Sequence, residues 1–176
     1  KNKRNTINQL RFEINYEQEL FKLYEEIKNK TYKVGKSIAF IINKPVQREI
    51  FAASFRDRVV HHLIFNYINP ILEPQFIQDS YSCRTGKGTL YGINQANAYL
   101  KSVSDNFTTD AYVLKLDVKG YFMNINKNVL MQKLKNRTSK ETFEALIRTR
   151  TLNKIEEDID YDTLFYVLNE VVFNNP

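Results

Sequence analysis

A helix-rich α+β fold is predicted by three features of this sequence. Several segments repeat apolar residues at helical spacing, two short Ile/Phe-rich runs flank a polar turn, and one alternating run ends at an aspartate. The chain has 176 residues, 43% hydrophobic and 13% aromatic. That suffices for one fair-sized core or two small ones and is too apolar for disorder.

Taken in order, residues 16–30 set Leu20, Leu23, Tyr24 and Ile27 on one face, with Glu and Lys on the other, which predicts an amphipathic helix. Ser37–Ile42 and Glu49–Ala53 read as two strands of a hairpin. Pro45 suits the turn between them, because its ring fixes φ and it offers no ladder donor. Ser54-Phe55-Arg56-Asp57 has the form of a capping box, in which the serine accepts from the third amide of the following helix. That helix carries Val60, Leu63, Ile64, Tyr67, Ile68, Ile71 and Leu72, and Pro70 should kink or end it. A polar loop with Gly86 and Gly88 occupies 80–88, and Thr89–Lys101 is again helical in pattern. Ala111–Val118 alternates and is expected to be a strand, ended at Asp117 and broken by Gly120. Helical patterns fill Lys127–Arg137, Ser139–Leu152 and Thr163–Phe173.

Composition narrows the functional classes. No run of about eighteen apolar residues exists, so a helical membrane span is excluded. The basic start at Lys1, Lys3 and Arg4 lacks the apolar stretch of a signal peptide. Cys83 is the lone cysteine, which forbids an intrachain disulfide and points to a reducing cytoplasm. One cysteine and the adjacent His61 and His62 do not make a zinc site. Net charge is +6, and all the excess lies in residues 1–120, with 18 Lys and Arg against 12 Asp and Glu. A basic front half suits a polyphosphate or nucleic-acid partner, and equally an ordinary basic surface.

Four groups of residues could carry chemistry. Asp117, at the end of a strand and before a tight turn, could offer a carboxylate to a hard divalent cation, with the main-chain carbonyl of Val118 as a second oxygen. The same aspartate reads as a turn residue bonded to backbone amides. Lys44 and Arg48 stand near a hairpin tip, where they could clamp phosphates or simply be solvated. Arg84 and Lys87 sit beside two glycines that allow close backbone approach to a phosphate, or that merely make a basic turn. Phe122, five residues after Asp117, and its neighbour Tyr121 compete for a buried position. The acidic run Glu156 to Asp162 lacks the glycine and spacing of a calcium loop and reads as a solvated turn.

The string Leu116-Asp117-Val118-Lys119-Gly120-Tyr121-Phe122-Met123-Asn124-Ile125 closely resembles the first palm motif of reverse transcriptases, in the form found in group II intron, diversity-generating and retron-like elements of bacteria. Upstream, Lys44-Pro45 with Arg48-Glu49-Ile50 resembles their fingertip hairpin, and Phe55 to His62 resembles the helix that follows it. Ser80 to Gly88 is similar to their Arg-x-Gly-(Arg/Lys)-Gly loop. The resemblance covers about residues 35–130, with its motifs in the family's order.

It implies a fingers region over 1–110 and a partial palm over 111–176 that begins with the Asp117 strand. It further implies an RNA-directed DNA polymerase using Mg2+, or Mn2+ in its place, with deoxynucleoside triphosphates, an RNA template and an RNA/DNA hybrid. In that setting Asp117 and the Val118 carbonyl would hold metal, Lys44, Arg48 and Phe122 would meet the nucleotide, and Arg84 and Lys87 the template. The departure is the family's Tyr-x-Asp-Asp hairpin, since no Asp-Asp dipeptide occurs here and Asp160-Tyr161-Asp162 lies between helices. The chain also starts without methionine and stops after a helix, so it reads as an inactive piece of a longer enzyme. An RNA-binding, maturase-type splicing role and a polymerase that makes untemplated DNA are the rival expectations.

Overall fold

A computed structural model describes residues 6–44, 47–81, 83–151 and 159–174. It is a helix-rich α+β structure with seven α-helices and one two-stranded antiparallel sheet among the described residues. Among them, no helix is long and apolar enough to cross a membrane. The chain divides into two compact units, residues 1–71 with 126–176, and residues 72–125. These divisions fall elsewhere than at the 110/111 boundary expected from the sequence.

The first unit holds α1 (Ile7–Ile14), α2 (Tyr16–Lys28), β1 (Ile38–Ile42), β2 (Arg48–Ala52), α3 (Phe55–Leu72), α5 (Lys127–Arg137), α6 (Lys140–Thr151) and α7 (Tyr161–Asn174); α4 (Thr89–Val103) belongs to the second. Its core is built from the apolar faces the periodicity announces. Leu23 and Ile27 of α2 and Val60, Ile64, Tyr67, Ile68 and Ile71 of α3 are buried together with Met131, Phe143, Leu164, Phe165, Val167 and Leu168. Phe143 links two helices through its ring, 6.0 Å from Tyr67 and 5.8 Å from Tyr161. The helix expected over 16–30 begins at Tyr16 and ends at Lys28, and α1 before it went unpredicted because it buries no side chain. Pro70 neither breaks nor sharply ends α3, which runs two residues further into a 3-10 turn at Glu73–Gln75. Pro70 lacks the N–H that would bond the Asn66 carbonyl, and the helix ends within a turn of it.

The hairpin pairs Ile38 with Ala52 through Ile42 with Arg48. Pro45 and Val46, the expected turn centre, lie outside the described residues. Ile38, Phe40, Ile41 and Phe51 are all exposed, so both faces of this small sheet carry uncovered apolar side chains.

The second unit contains α4 and a second 3-10 turn, Phe122–Asn124. No apolar side chain between 72 and 125 is buried among the described residues, and Ser104 is the buried residue there. Ser104 closes α4 by donating its hydroxyl to the Leu100 carbonyl at 2.6 Å and accepting the Phe107 N–H at 2.9 Å. Three residues with positive φ follow, Asp105, Asn106 and Phe107.

One expectation fails here. Ala111–Val118 is not a strand: it joins no ladder among the described residues, and Tyr112, Leu114 and Leu116 are 93%, 81% and 80% exposed. Alternation gives a segment the preference for a strand, but a strand exists only as a pair, and no other segment of 72–125 forms a ladder with it.

Candidate functional site

At the hairpin, Arg48 is the first residue of β2, opposite Ile42, and Lys44 follows β1 by two positions. Both side chains are exposed. A five-residue connection therefore carries one cation near each of its ends, which is a geometry able to meet a polyanion from two sides.

The root of the hairpin is far more ordered chemically than its tip. Asp57, 1% exposed in the first turn of α3, accepts from the Tyr32 hydroxyl at 2.8 Å, the Ser54 hydroxyl at 2.7 Å and the Gly35 N–H at 3.1 Å. The Asp57 N–H in turn donates to Ser54 Oγ at 3.1 Å, so the serine half of the expected capping box forms, while the Asp57 carboxylate takes the Ser54 hydroxyl in place of its N–H. Burial, with the Asp57 bond second, pushes the Tyr32 phenol far above its usual range and keeps it a donor. The Arg56 guanidinium lies 5.1 Å from the Tyr32 ring centre and pairs with Glu26. From α7, Tyr166 donates to the Tyr32 carbonyl at 2.8 Å, and Glu170 accepts from Lys33 Nζ at 2.9 Å. Of this network the sequence announced the Ser54–Asp57 box alone. Tyr32 and Gly35 lie in irregular chain with no period to mark them.

In the second unit, Arg84 faces inward. Its Nε donates to Glu73 at 2.8 Å, its Nη1 donates to the carbonyls of Ser80 at 2.9 Å and Ile77 at 3.1 Å, and its guanidinium lies 5.4 Å from the Phe76 ring centre. Lys87 Nζ donates to the Gln78 carbonyl at 2.6 Å, which leaves two ammonium protons for another acceptor. Gly86 has φ +75, the left-handed region that favours glycine. Asp79 ties the same loop to α4 by accepting from Tyr81 at 2.7 Å and Tyr99 at 2.9 Å. The Tyr81 bond, with burial second, pushes that phenol up to about 12, and the two phenols hold the Asp79 carboxyl below its usual range.

Asp117 and Val118 are exposed, and neither the Asp117 carboxylate nor the Val118 carbonyl accepts a hydrogen bond among the described residues. A hard divalent cation takes about six oxygens. These two residues supply two, and no group of three His, Cys, Asp or Glu side chains stands together among the described residues. The pair could contribute to a metal site but cannot complete one.

The turn after Asp117 is well defined. Gly120 has φ +61, the left-handed region that favours glycine, and a Cβ there would meet the end of the exposed Asn124 side chain at 2.9 Å, a contact that side chain can relieve by turning. Asn124 Nδ2 donates to the Gly120 carbonyl at 2.9 Å, and the Met123 N–H donates to the same oxygen at 3.1 Å. Phe122 is 83% exposed and Tyr121 55%, with their rings edge to face at 5.2 Å. Neither aromatic is the buried partner of the other.

Other sequence features resolve simply. Asp160 caps α7, accepting the Thr163 N–H at 2.7 Å and the Thr163 hydroxyl at 2.8 Å. Glu156, Glu157 and Asp158 lie outside the described residues. His61 is half-buried and His62 exposed on α3, consistent with packing and not with a shared site. Comparison with protein-family models and with curated proteins returned no match.

Proposed function

We propose that this chain is the fingers and early palm of an RNA-directed DNA polymerase, with Asp117 as one of its metal ligands. The observation that carries the reading is the Leu116–Ile125 string, in which a left-handed Gly120 turn separates an unpaired carboxylate from an exposed aromatic. Both side chains are available to a ligand, as a nucleotide site needs. The ordered upstream motifs add support, as do two exposed cations flanking the hairpin turn.

In nucleotidyl transfer a primer 3′-hydroxyl attacks the α-phosphate and pyrophosphate leaves, so negative charge must be neutralised. Mg2+, or Mn2+ in its place, would supply that neutralisation from a site to which Asp117 and the Val118 carbonyl contribute and other carboxylates must be added. Lys44 and Arg48 would bind the triphosphate, Arg48 with two parallel donors. Phe122 would lie under the sugar and leave no room for a 2′-hydroxyl. Lys87 has donors to spare for a template phosphate, while Arg84 would serve the template chiefly by holding its loop in shape.

The test is primer extension by the complete reading frame. Templated DNA synthesis that Asp117→Asn abolishes supports the reading, and this chain alone should extend nothing. A complete reading frame that binds structured RNA and promotes splicing without extending a primer would overturn it in favour of the maturase-type role. Within an active enzyme, Arg48→Ala should raise KM for deoxynucleotides about tenfold, a loss of roughly 1.4 kcal/mol, with template affinity nearly unchanged.

A further inference from the structure

The two roots of the hairpin converge on one side chain. Gly35 precedes β1 and gives its N–H to Asp57 Oδ2, while Ser54 follows β2 and gives its hydroxyl to the same oxygen. Tyr32, fully buried, occupies the other oxygen. A Cβ at Gly35 would stand 3.0 Å from Asp57 Oδ2, so the incoming chain passes as close to the carboxylate as a backbone can.

Helix capping does not require this arrangement. Ser54 already receives the Asp57 N–H, and α3 would keep that bond with a different side chain at 57. What the Asp57 side chain adds is a junction between the chain entering the hairpin and the chain leaving it. Along its length the hairpin has exposed apolar residues on both faces, so packing does not set its direction. Its direction is set at the root.

We propose that Asp57 is a positioning residue that aims the β1–β2 hairpin and so places Lys44 and Arg48 for a polyphosphate-bearing ligand; the ligand half of this statement rests on the polymerase reading above. The carboxylate acts as a two-point clamp. Held at both roots, the hairpin behaves as a rigid lever whose tip cations are pre-organised. Held at one, it pivots.

The experiment uses the whole chain carrying Cys83→Ser, with nitroxide labels on cysteines introduced by Ile41→Cys in β1 and Phe65→Cys on α3, both exposed positions. Pulsed electron spin resonance reads the label-to-label distance distribution. Asp57→Asn should about double its width, while Tyr32→Phe and Ser54→Ala, each removing one tie, should broaden it less. Asn126→Ala, which removes the cap of α5, lowers the melting temperature without touching the hairpin and should leave the width unchanged. Binding of inorganic tripolyphosphate should weaken about tenfold with Asp57→Asn and about as much with Arg48→Ala. An unchanged width in a folded Asp57→Asn chain overturns the proposal. Should that variant fail to fold, unchanged widths in both Tyr32→Phe and Ser54→Ala overturn it equally. A broadened width, in a chain whose tripolyphosphate binding never depended on Lys44 or Arg48, upholds the clamp and removes support from the polymerase reading instead.

Discussion

Residues 1–71 with 126–176 and residues 72–125 have similar proportions of apolar residues and use them in opposite ways. The first unit buries apolar side chains from five helices, with Leu164, Val60 and Val167 at 0% exposure. Among the described residues the second buries none, and leaves Leu90, Ile93, Val103, Tyr112, Leu114 and Leu116 exposed. Its order comes from polar ties instead: Arg84 to Glu73 and two carbonyls, Asp79 to two tyrosines, Ser104 to both sides of a turn. Hydrogen bonds of this kind contribute about 0.5–1.5 kcal/mol each, and those open to water lie at the low end. The difference teaches where stability resides: in the first unit it is a property of the packing, in the second of individual polar contacts.

The largest effect that tests this contrast is truncation of matched leucines. Leu164→Ala empties a fully buried position in the first turn of α7 and should cost about 2–5 kcal/mol in urea unfolding. Leu116→Ala removes a side chain that is 80% exposed and should stay within about 0.5 kcal/mol. Comparable losses would mean that Leu116 is covered in solution, and the contrast would fail.

Helix starts sharpen the comparison at a smaller scale. Asn126 caps α5, accepting from the N–H groups of Asn128 and Val129, so Asn126→Ala should cost about 1 kcal/mol. The α4 N-cap is Gly88, which has no side chain to offer and open space around it. Gly88→Asp should therefore stabilise α4, by a few tenths of a kcal/mol from the cap and the favourable charge at the helix start. Amide exchange along α4 is the measurement, because a unit held by local contacts responds locally. Slower exchange confined to 89–103 is expected, and faster exchange there would contradict it.

How much of this was legible from sequence follows the same division. Helices α2, α3, α5, α6 and α7 carry their own apolar period, so each could be located within a few residues, and the hairpin was marked by its flanking Ile and Phe runs. The Ala111–Val118 run carried as clear a period and formed no strand, because periodicity records a preference while a ladder needs a second segment. Gly120 takes a positive φ as a turn glycine does, but among the described residues there is no strand for it to break. The Asp57 junction was half visible. Ser54 lies three residues from Asp57 and makes a local motif, but Tyr32 and Gly35 lie 25 and 22 residues away, in chain whose path no local pattern records. Arg84 and Lys87 stand out in sequence for their charge beside glycines, but the carbonyls that accept their N–H groups cannot be read from composition.

The smallest effect is a pH dependence lodged in the packed unit. His61 Nε2 is buried on α3 without a hydrogen-bond partner among the described residues, whereas the exposed side chains of the second unit have water at hand. Burial lowers the His61 pKa from its ordinary 6.5; nearby Asp57 opposes the shift and His62 adds to it. The folded state therefore binds this proton less readily than the unfolded state. Stability from this group is fully present above about pH 6.5 and is lost as pH falls through that value toward the lowered folded pKa. Asp160 shifts by a different route. Burial pushes it up, yet the Thr163 N–H and hydroxyl hold it below 3.8, so its contribution is lost only in stronger acid. Between pH 7 and 5, then, His61 is the group whose titration should be felt. His61→Leu deletes both the titration and a buried polar atom that lacks a partner, so the variant should match or exceed the parent at pH 7 and lose less on acidification to pH 5. Thermal melts at the two pH values decide it. A parent and variant that lose stability in parallel would mean that His61 finds a proton acceptor or water in solution, and that the packed unit is wetter around α3 than its burial indicates.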